Sequence, residues 1–536
     1  MRKFSSYGPV DKDLHYHAPR TVLIDAAREK LLGDDPKKRG HYITVWAPRQ
    51  TGKSWLTRQV LKGIQTSGHY EVGVISMQSA KTLTDEQDVL DLFVEKLQRR
   101  FRQDFPTIQK WNHISSLFTK AYFSKPVVLI IDEFDALQDD FINRFANEFR
   151  EMYLDRVDDD EIQSEDKEVL LHALALIGVR SVLGIENIKG SPFNIQRSVH
   201  IPNLTQEEVA QIFQDYQHES GQRIDPIVIE RIYAEIQGQP GLTCWMGEML
   251  TEVHNRHDGE ITLDDFEYAY SDALDVQPNN NILNIISKAK EEAYQPTVLE
   301  MFQAGTKLPF RYDDPATNYL YMNGVVTYEE TRDQIGRYQR YLKFPCPFVQ
   351  KRLFNYFAHL LFSSLKRLYD PLIDLSTVMT DTDLNIPNII RLYEAYMHSN
   401  RDWLFKSAPR RKTDEHIYEA VYHFNLYMYL IQFLRDYGAV VPEFPTGNGQ
   451  IDLVVYYHDN VYPLEVKSFI NRREHQASLK QAARYGSKLN LAAAWLVTFI
   501  ETMTDEQRTE LEETYYDAET GVEVYSVFVT LEGKTT

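Results

Sequence analysis

The chain is poor in cysteine and has no long apolar run. Two cysteines, Cys244 and Cys346, occur in 536 residues. That is too few for a disulfide framework, and no Cys/His cluster has zinc-ligand spacing, so a reducing, cytoplasmic setting is expected. The longest apolar runs, such as LAAAWLVTFI at 491–500, are far shorter than the roughly 20 residues of a membrane-spanning helix. They read as buried strands, and no membrane partner is expected. The start, MRKFSSYGPV, is basic but no apolar segment follows it, so no signal peptide is read. No internal repeat or low-complexity tract is found, which excludes a repeat architecture. An excess of positive charge is missing too: 58 Lys+Arg against 78 Asp+Glu leave a net charge of −20. This argues against non-specific coating of nucleic acid, which is driven by neutralising phosphates. Local basic clusters remain, at KSAPRRK (406–412) and at Arg472 and Arg473. Much of the acidity lies in DRVDDDEIQSEDKE at 155–168, expected to be a mobile, solvated loop.

The residues that are present, 43% hydrophobic and 25% charged, are those of an ordinary globular protein long enough for two or three domains. Four β-rich runs, YITVWA (42–47), VGVISM (72–77), PVVLIID (126–132) and LALIGV (174–179), alternate with helical stretches. That pattern predicts an α/β fold with a parallel sheet covered on both faces. From about 205 the chain turns helical, with Thr205 as a cap before a regular apolar face. GQPGLTCWMGEML reads as a turn leading into another helix. Helices mixed with the short runs GVVTYEE and RYLKFP suit a winged helix. The last part runs helix, turn, strand, strand, helix, strand. The expected organisation is a parallel-sheet α/β core (1–200), a helical lid (201–290), a winged-helix connector (291–375), linker helices (376–411) and a separate small α/β domain (412–536).

WAPRQTGKSW at 46–55 follows the first strand and opens a helix. Ala47, Pro48, Arg49, Gln50, Thr51 and Gly52 would form a loop whose backbone N–H groups, with the helix N-terminus, cradle phosphates. Lys53 would reach the β- and γ-phosphates and Ser54 would ligate Mg²⁺. The usual first glycine of this pattern is replaced by Ala47. PVVLIIDEFDAL at 126–137 is an apolar strand ending in two acids. Asp132 would hold the Mg²⁺ shell and Glu133 would orient or deprotonate the attacking water. ATP binding and hydrolysis are therefore expected, with Arg180 or Ser181 as candidates to sense the γ-phosphate. On APRQTGKSWL, IIDEFDAL, SPFNI (191–195) followed by IPNLTQEEVAQIF, and GQPGLTCWM, the chain resembles the AAA-like domains of prokaryotic P-loop ATPases in the AAA+/STAND grouping. The resemblance covers roughly 15–270 and extends through the winged helix to about 370. It implies that Ala47 is compatible with an active loop. It also implies a nucleotide-driven switch fused to an effector domain.

YPLEVKSFI at 462–470 carries Glu465 and Lys467 on one face of a strand. Such a pair is cheap: Glu165 and Lys167 repeat it inside the acidic stretch. Its neighbours are more specific. Asp452 lies near the start of the preceding strand, in GNGQIDLVVYY (447–457), and a hairpin would set it beside Glu465. Glu419 lies in the helix before, and Gln481 and Tyr485 share one face of the helix after. His423, His458 and His475 show no zinc-site spacing. Asp452, Glu465 and Lys467, spaced Asp-x12-Glu-x-Lys, resemble the core of the PD-(D/E)xK nucleases over about 412–530, although Ile451 stands where proline is usual. The resemblance implies a C-terminal α/β restriction-endonuclease-like domain in which Asp452, Glu465 and Glu419 bind Mg²⁺ or Mn²⁺. Lys467 would position or activate the nucleophile. The Gln481-x3-Tyr485 helix resembles the branch typified by recombination-helicase exonucleases, where these residues contact DNA or brace the site. The expected function is an ATPase whose nucleotide state controls the assembly or activity of a metal-dependent nuclease. DNA is the expected nucleic acid, in defence against or control of mobile DNA. The alternative is an ATPase switch whose nuclease-like domain binds DNA or protein without cutting. A homo-oligomer is compatible with both, as is a protein partner.

Overall fold

Five consecutive apolar residues, 127–131, build most of β3 (Val127–Asp132), and each is at most 2% exposed. Alternation divides them between two cores: Val127, Leu129 and Ile131 face one, Val128 and Ile130 the other. A strand apolar on both sides needs cover on both, which is the parallel-sheet arrangement expected above. The computed structural model describes residues 1–532 except 9, 159–160, 179–197, 258, 303–306, 334, 371, 413–414 and 444–450, with backbone alone at 198, 436, 451 and 452. Two units are present: residues 1–281 with 313–324, and residues 282–312 with 325–536.

In the first unit the sheet order is β2 (Glu71–Ser76), β3, β4 (Leu171–Gly178), β1 (Tyr42–Trp46) and β5 (Ser198–His200), all parallel. Helices α1 (Thr21–Leu32) and α2 (Lys53–Thr66) cover the face that holds Val128 and Ile130. Helices α3 (Glu86–Phe101) and α4 (Asp139–Asp158) cover the other. Four helices follow the sheet: α5 (Gln206–Ser220), α6 (Pro226–Ile236), α7 (Pro240–Glu248) and α8 (Leu263–Asp275). Thr205 and Thr262 start α5 and α8 with capping boxes, each reciprocated by the acid three residues on.

The acidic stretch 155–168 is not the fully solvated loop that its charge suggests. Helix α4 runs to Asp158, and Arg156, Ser164 and Lys167 are at most 3% exposed. Arg156 donates to Ser164 Oγ and to the Val169 carbonyl, and Lys167 Nζ donates to the Arg156 carbonyl. A cation placed on a last-turn carbonyl is favoured by the partial negative charge of the helix end. Lys167 therefore has a local structural role that charge density alone concealed.

The second unit takes most of α9 (Asn280–Ala289) and all of α10 (Gln295–Met301); residues 313–324, with α11 (Pro315–Met322), count with the first. An antiparallel hairpin of β6 (Thr327–Arg332) and β7 (Tyr338–Lys343) precedes α12 (Pro347–Phe362), α13 (Ile386–Leu404) and α14 (Glu419–Leu434). A six-stranded sheet follows: β12 (Tyr515–Asp517), β13 (Val522–Thr530), β11 (Ala493–Ile500), β10 (Asn460–Ser468), β9 (Ile451–Tyr457), β8 (Gly438–Glu443). Strands β10, β11 and β13 are parallel and the outer pairs antiparallel. Helix α15 (Arg472–Lys488) connects β10 to β11, with Leu479, Ala482 and Ala483 packed on Leu496 and Val524. A short α16 (Asp505–Leu511) precedes β12. Strand β8 was not foreseen. It is a six-residue edge strand containing Pro442, and proline is tolerated at an edge while hiding the strand signal.

Helix α13 packs along β13 through Glu394, which is 8% exposed. Its Oε1 accepts from Thr530 N at 2.7 Å, Thr530 Oγ1 at 2.6 Å and Arg508 at 2.8 Å. Burial alone would raise this carboxyl, but the bonds from Arg508 and Thr530 outweigh it and hold it below the ordinary range. A depressed carboxylate contributes stability above its unfolded pKa and loses it as pH falls through the folded one. Glu394→Gln is expected to cost the second unit about 3 kcal/mol at pH 7, measured by urea unfolding. The gap from the parent should close as pH falls below about 4.3. A gap unchanged between pH 7 and pH 3 would rule out this role for the charge.

Candidate nucleotide site and a buried acid–lysine pair

Strand β1 ends at Trp46 and α2 starts at Lys53, so residues 47–52 must turn the chain from a strand into a helix. Gln50 and Gly52 take left-handed conformations, with φ 56° and 90°, and make that turn. Ala47 has no positive φ, and its side chain is wholly buried among the residues under α2. The departure from glycine at this position therefore brings no backbone strain. Thr51 Oγ1 donates to the Pro48 carbonyl at 2.8 Å, and Lys53 Nζ donates to the Ala47 and Pro48 carbonyls, each at 2.7 Å. Burial lowers the Lys53 ammonium to about 8 despite the charges of Asp135, Asp132 and Glu133. Ser54 Oγ donates to Asp132 Oδ2 at 3.2 Å. Glu133 follows in a left-handed conformation, and its N–H donates to Asp132 Oδ1 at 2.9 Å. Partial burial, with the charges of Asp135 and Asp132, raises its carboxyl above the ordinary range. A hydroxyl beside a strand-end carboxylate is a donor set suited to Mg²⁺. Asp135 was missed in the sequence, although it stands in the same DEFD run.

The loop is tied to the following helices. Gln239, the cap of α7, donates from Nε2 to the Arg49 carbonyl at 3.2 Å, and Gly241 N donates to the Gln50 carbonyl at 3.0 Å. Gln50 Nε2 in turn donates to the Ser6 carbonyl at 3.2 Å. A cavity of about 60 Å³ opens beside the loop, lined by Thr51, Gly52, Trp55, Ala18, Pro240 and Cys244 among others. GQPG was legible as a turn, but its grip on the loop was not. Arg180, Ser181 and SPFNI lie outside the described residues.

A phosphate-cradling loop, its lysine and hydroxyl, and a strand-end Asp-Glu meeting at one point define a P-loop nucleotide-binding domain. Residues 21–261 match the profile of a family described as AAA-like domain, and this part of the chain is an AAA-like P-loop ATPase domain. Among solved structures, a Walker-type ATPase of Pyrococcus abyssi is similar at 14% identity and TM-score 0.43, covering 65% of this chain and 99% of that one. Cdc6p of Pyrobaculum aerophilum is similar at 15% identity and TM-score 0.37, over 65% and 95%. The RuvB Holliday junction branch migration motor of Thermotoga maritima follows at 14% and 0.31, over 60% and 89%. No curated protein matches the chain.

The second site lies on β10. Glu465 is 1% exposed and Lys467 6%. Their Nζ and Oε1 are 2.7 Å apart. They are not aligned as a hydrogen bond, and among the described residues neither Glu465 oxygen has a hydrogen-bond partner. Register sets Glu465 opposite Asp452 of β9 and Lys467 opposite Thr498 of β11; of Asp452 the backbone alone is described. Glu419, the first residue of α14, accepts from Ser468, and burial raises its carboxyl despite that bond and the charge of Arg411. One turn on, His423 is wholly enclosed; burial, then the charge of Lys467, lowers it to about 3 and keeps it neutral. A cavity of about 80 Å³ opens here, lined by Lys467, Ser468, His475, Ser478, Gln481 and Thr498 among others. Tyr485 is one turn beyond Gln481 on α15. Glu465 and Lys467 are thus brought together, with Gln481 beside Lys467 at the cavity and Glu419 beside Ser468. Among the described residues no cluster of three or more His, Cys, Asp or Glu could hold a metal, and no helix is long and apolar enough to cross a membrane. His423 could have been found from its i,i+4 spacing to Glu419. Thr498 could not, because only strand pairing sets it beside Lys467.

Nucleotide phosphates favour the charged form of Lys53, so binding should take up a proton as pH rises past about 8. Affinity for ATP is then expected to fall above that pH. Calorimetry at pH 7 and 9, in buffers of different ionisation enthalpy, measures the uptake. Uptake that persists in Lys53→Arg would assign it to another group.

Proposed function

We propose that this protein is an ATP-hydrolysing switch whose C-terminal part is a divalent-metal-dependent nuclease acting on DNA, the state of the ATPase unit governing when the nuclease acts. The observation that carries the nuclease reading is Glu465, a carboxylate 1% exposed that is ion-paired with Lys467 and, among the described residues, has no hydrogen-bond donor on either oxygen. A purely structural acid in that position would be expected to collect donors, because an unsatisfied buried charge is costly. Carboxylate oxygens suit a hard cation; Glu419, beside Ser468, and Asp452, the register partner of Glu465 on β9, are the further ligands we propose for Mg²⁺ or Mn²⁺. When bound, such a cation would lower the pKa of a water and neutralise charge on a phosphodiester. Lys467 would hold the attacking oxygen or the phosphate, and Gln481 and Tyr485 would brace the strand that enters.

In the ATPase unit, Lys53 and the backbone of 47–52 would hold the phosphates, Ser54 and Asp132 the Mg²⁺ shell, and Glu133 the attacking water. The raised carboxyl of Glu133 suits a group that takes up a proton. The cavity beside Thr51 and Trp55 would take the base. A route between the two activities is supported by residues 313–324. They count with the ATPase unit, yet they are continuous with the second unit at both ends. The Tyr321 ring lies 5.5 Å from Trp46, at the end of β1. Gly324, at φ 74°, comes so close to the loop that a Cβ there would be 2.8 Å from that of Pro48. The chain then enters β6, in a connector we read as a winged helix.

The test uses plasmid and single-stranded DNA, with Mg²⁺ or Mn²⁺ and with or without ATP. Glu465→Ala/Lys467→Ala is expected to lose cleavage by about 10³-fold or more while keeping ATP hydrolysis. Cleavage that survives the double substitution removes the nuclease, and DNA bound but never cut by the parent leaves an ATPase switch with a binding domain. Glu133→Gln should keep ATP binding and lose hydrolysis by about 10²-fold or more. Lys53→Ala should abolish the ATP dependence of cleavage; indifference to it would sink the coupling.

A further inference from the structure

We infer that the cavity beside Lys467 is a phosphate subsite and that the Thr498 hydroxyl is a binding residue in it. What that phosphate belongs to rests on the nuclease reading; that a phosphate binds does not.

Thr498 lies on β11, in register with Lys467 of the parallel neighbour β10, so both side chains leave the same face of the sheet. It is 2% exposed and, among the described residues, its Oγ1 has no hydrogen-bond partner. Its chain neighbours are Val497 and Phe499, both buried. Valine would fill the same volume here without the penalty of an unsatisfied hydroxyl. The hydroxyl lines the 80 Å³ cavity together with Lys467, His475, Ser478 and Gln481. The wall opposite β10 is the start of α15, a helix of 17 residues whose first-turn residues Glu474 and His475 face the cavity. Its N-terminal N–H groups add partial positive charge to that wall.

Two lining residues carry charge, Lys467 and Glu474. Lys467 is buried, where a charge is felt strongly, and Glu474 is exposed and screened by solvent. Glu465 Oε1, 2.7 Å from Lys467 Nζ, offsets part of that charge, so an anion here would be held by the remaining Lys467 N–H groups rather than by a net positive field. Burial keeps His475 neutral, with one nitrogen bonded to the Leu511 carbonyl and Nδ1 lacking a partner. A neutral Nδ1 is able to accept from a protonated phosphate oxygen. Donors from Lys467, Thr498 and the helix start, with one acceptor from His475, match a phosphate group better than a carboxylate or a planar base. The sources sharing this chemistry are inorganic phosphate, a terminal nucleotide phosphate and an internal phosphodiester.

The full chain carrying Lys53→Ala, to weaken phosphate binding at the nucleotide loop, would be titrated with inorganic phosphate, thymidine 5′-monophosphate and a dinucleoside phosphodiester. Binding is followed by ³¹P line broadening. Thr498→Val is expected to weaken binding by about tenfold or more, and Thr498→Ser to stay within about threefold. Binding by the monoesters alone assigns the subsite to a chain end; equal binding of the diester assigns it to an internal phosphate. Equal binding by Thr498→Val and its parent overturns the inference. So does a clear fall in melting temperature in Thr498→Val, which would mean that the hydroxyl is bonded within the fold. DNA cleavage measured beside these separates the two readings. Phosphate binding lost in Thr498→Val with DNA uncut by the parent leaves the subsite and removes the nuclease. DNA cleaved at the parental rate by Thr498→Val, with phosphate binding unchanged, does the reverse.

Discussion

Taking a carboxylate or an ammonium out of water is expensive, and a fold that encloses both must compensate them on the spot. Strand β10 does so in part. Leu464 and Val466, wholly buried, anchor one face of the strand, while Glu465 and Lys467 share the other. Mutual attraction across 2.7 Å offsets some of the cost, yet among the described residues the Glu465 oxygens receive no hydrogen-bond donor. The neighbouring elements follow from that constraint. Strands β9 and β11 flank the pair, α14 brings Glu419 and the neutral His423, and the start of α15 closes the cavity. An apolar frame around an acid with few donors is the arrangement on which our nuclease proposal rests.

The nucleotide site solves a related problem differently. Strand β3 is apolar on both faces until its last residue, so Asp132 and Glu133 emerge where the sheet ends and burial is only partial. Acids there can reach a ligand while less enclosed than Glu465. The loop facing them is held from outside, by Gln239 and Gly241 at the start of α7 and by the close approach of Gly324 to Pro48. Contacts of this kind make the loop conformation sensitive to the segments that hold it, which is what a nucleotide switch requires.

Much of this was legible in the chain because the signals are local. Gly52-Lys53-Ser54 and the apolar run into Asp132 each state their geometry within a dozen residues. The same-face placement of Glu465 and Lys467 follows from strand periodicity alone. Where reading failed, the physics was non-local or concealed by composition. Lys167 sits in an acidic stretch yet is buried, because the carbonyl of Arg156 takes its ammonium. Strand β8 is short, lies at an edge and carries Pro442, so it lacks the pattern of a strand. Residues 376–411 read as linker helices, and no local signal announced that α13 among them is fastened to β13 through Glu394 and Thr530.

The amino-acid sequence by itself determined the parallel α/β sheet of the first unit, the turn of the loop between β1 and α2, and the strand that carries an acid and a lysine on one face. Periodicity and short motifs act between residues a few positions apart, and no other part of the chain is needed to read them. Tertiary structure alone decided which partners these groups have. Pairing of β11 with β10 set Thr498 against Lys467, packing of α14 enclosed His423, and the cap of α7 took hold of the loop at Arg49. Those contacts join residues tens to hundreds of positions apart. Strand order and helix docking set them, and burial decides their energy, so none leaves a local trace in the chain.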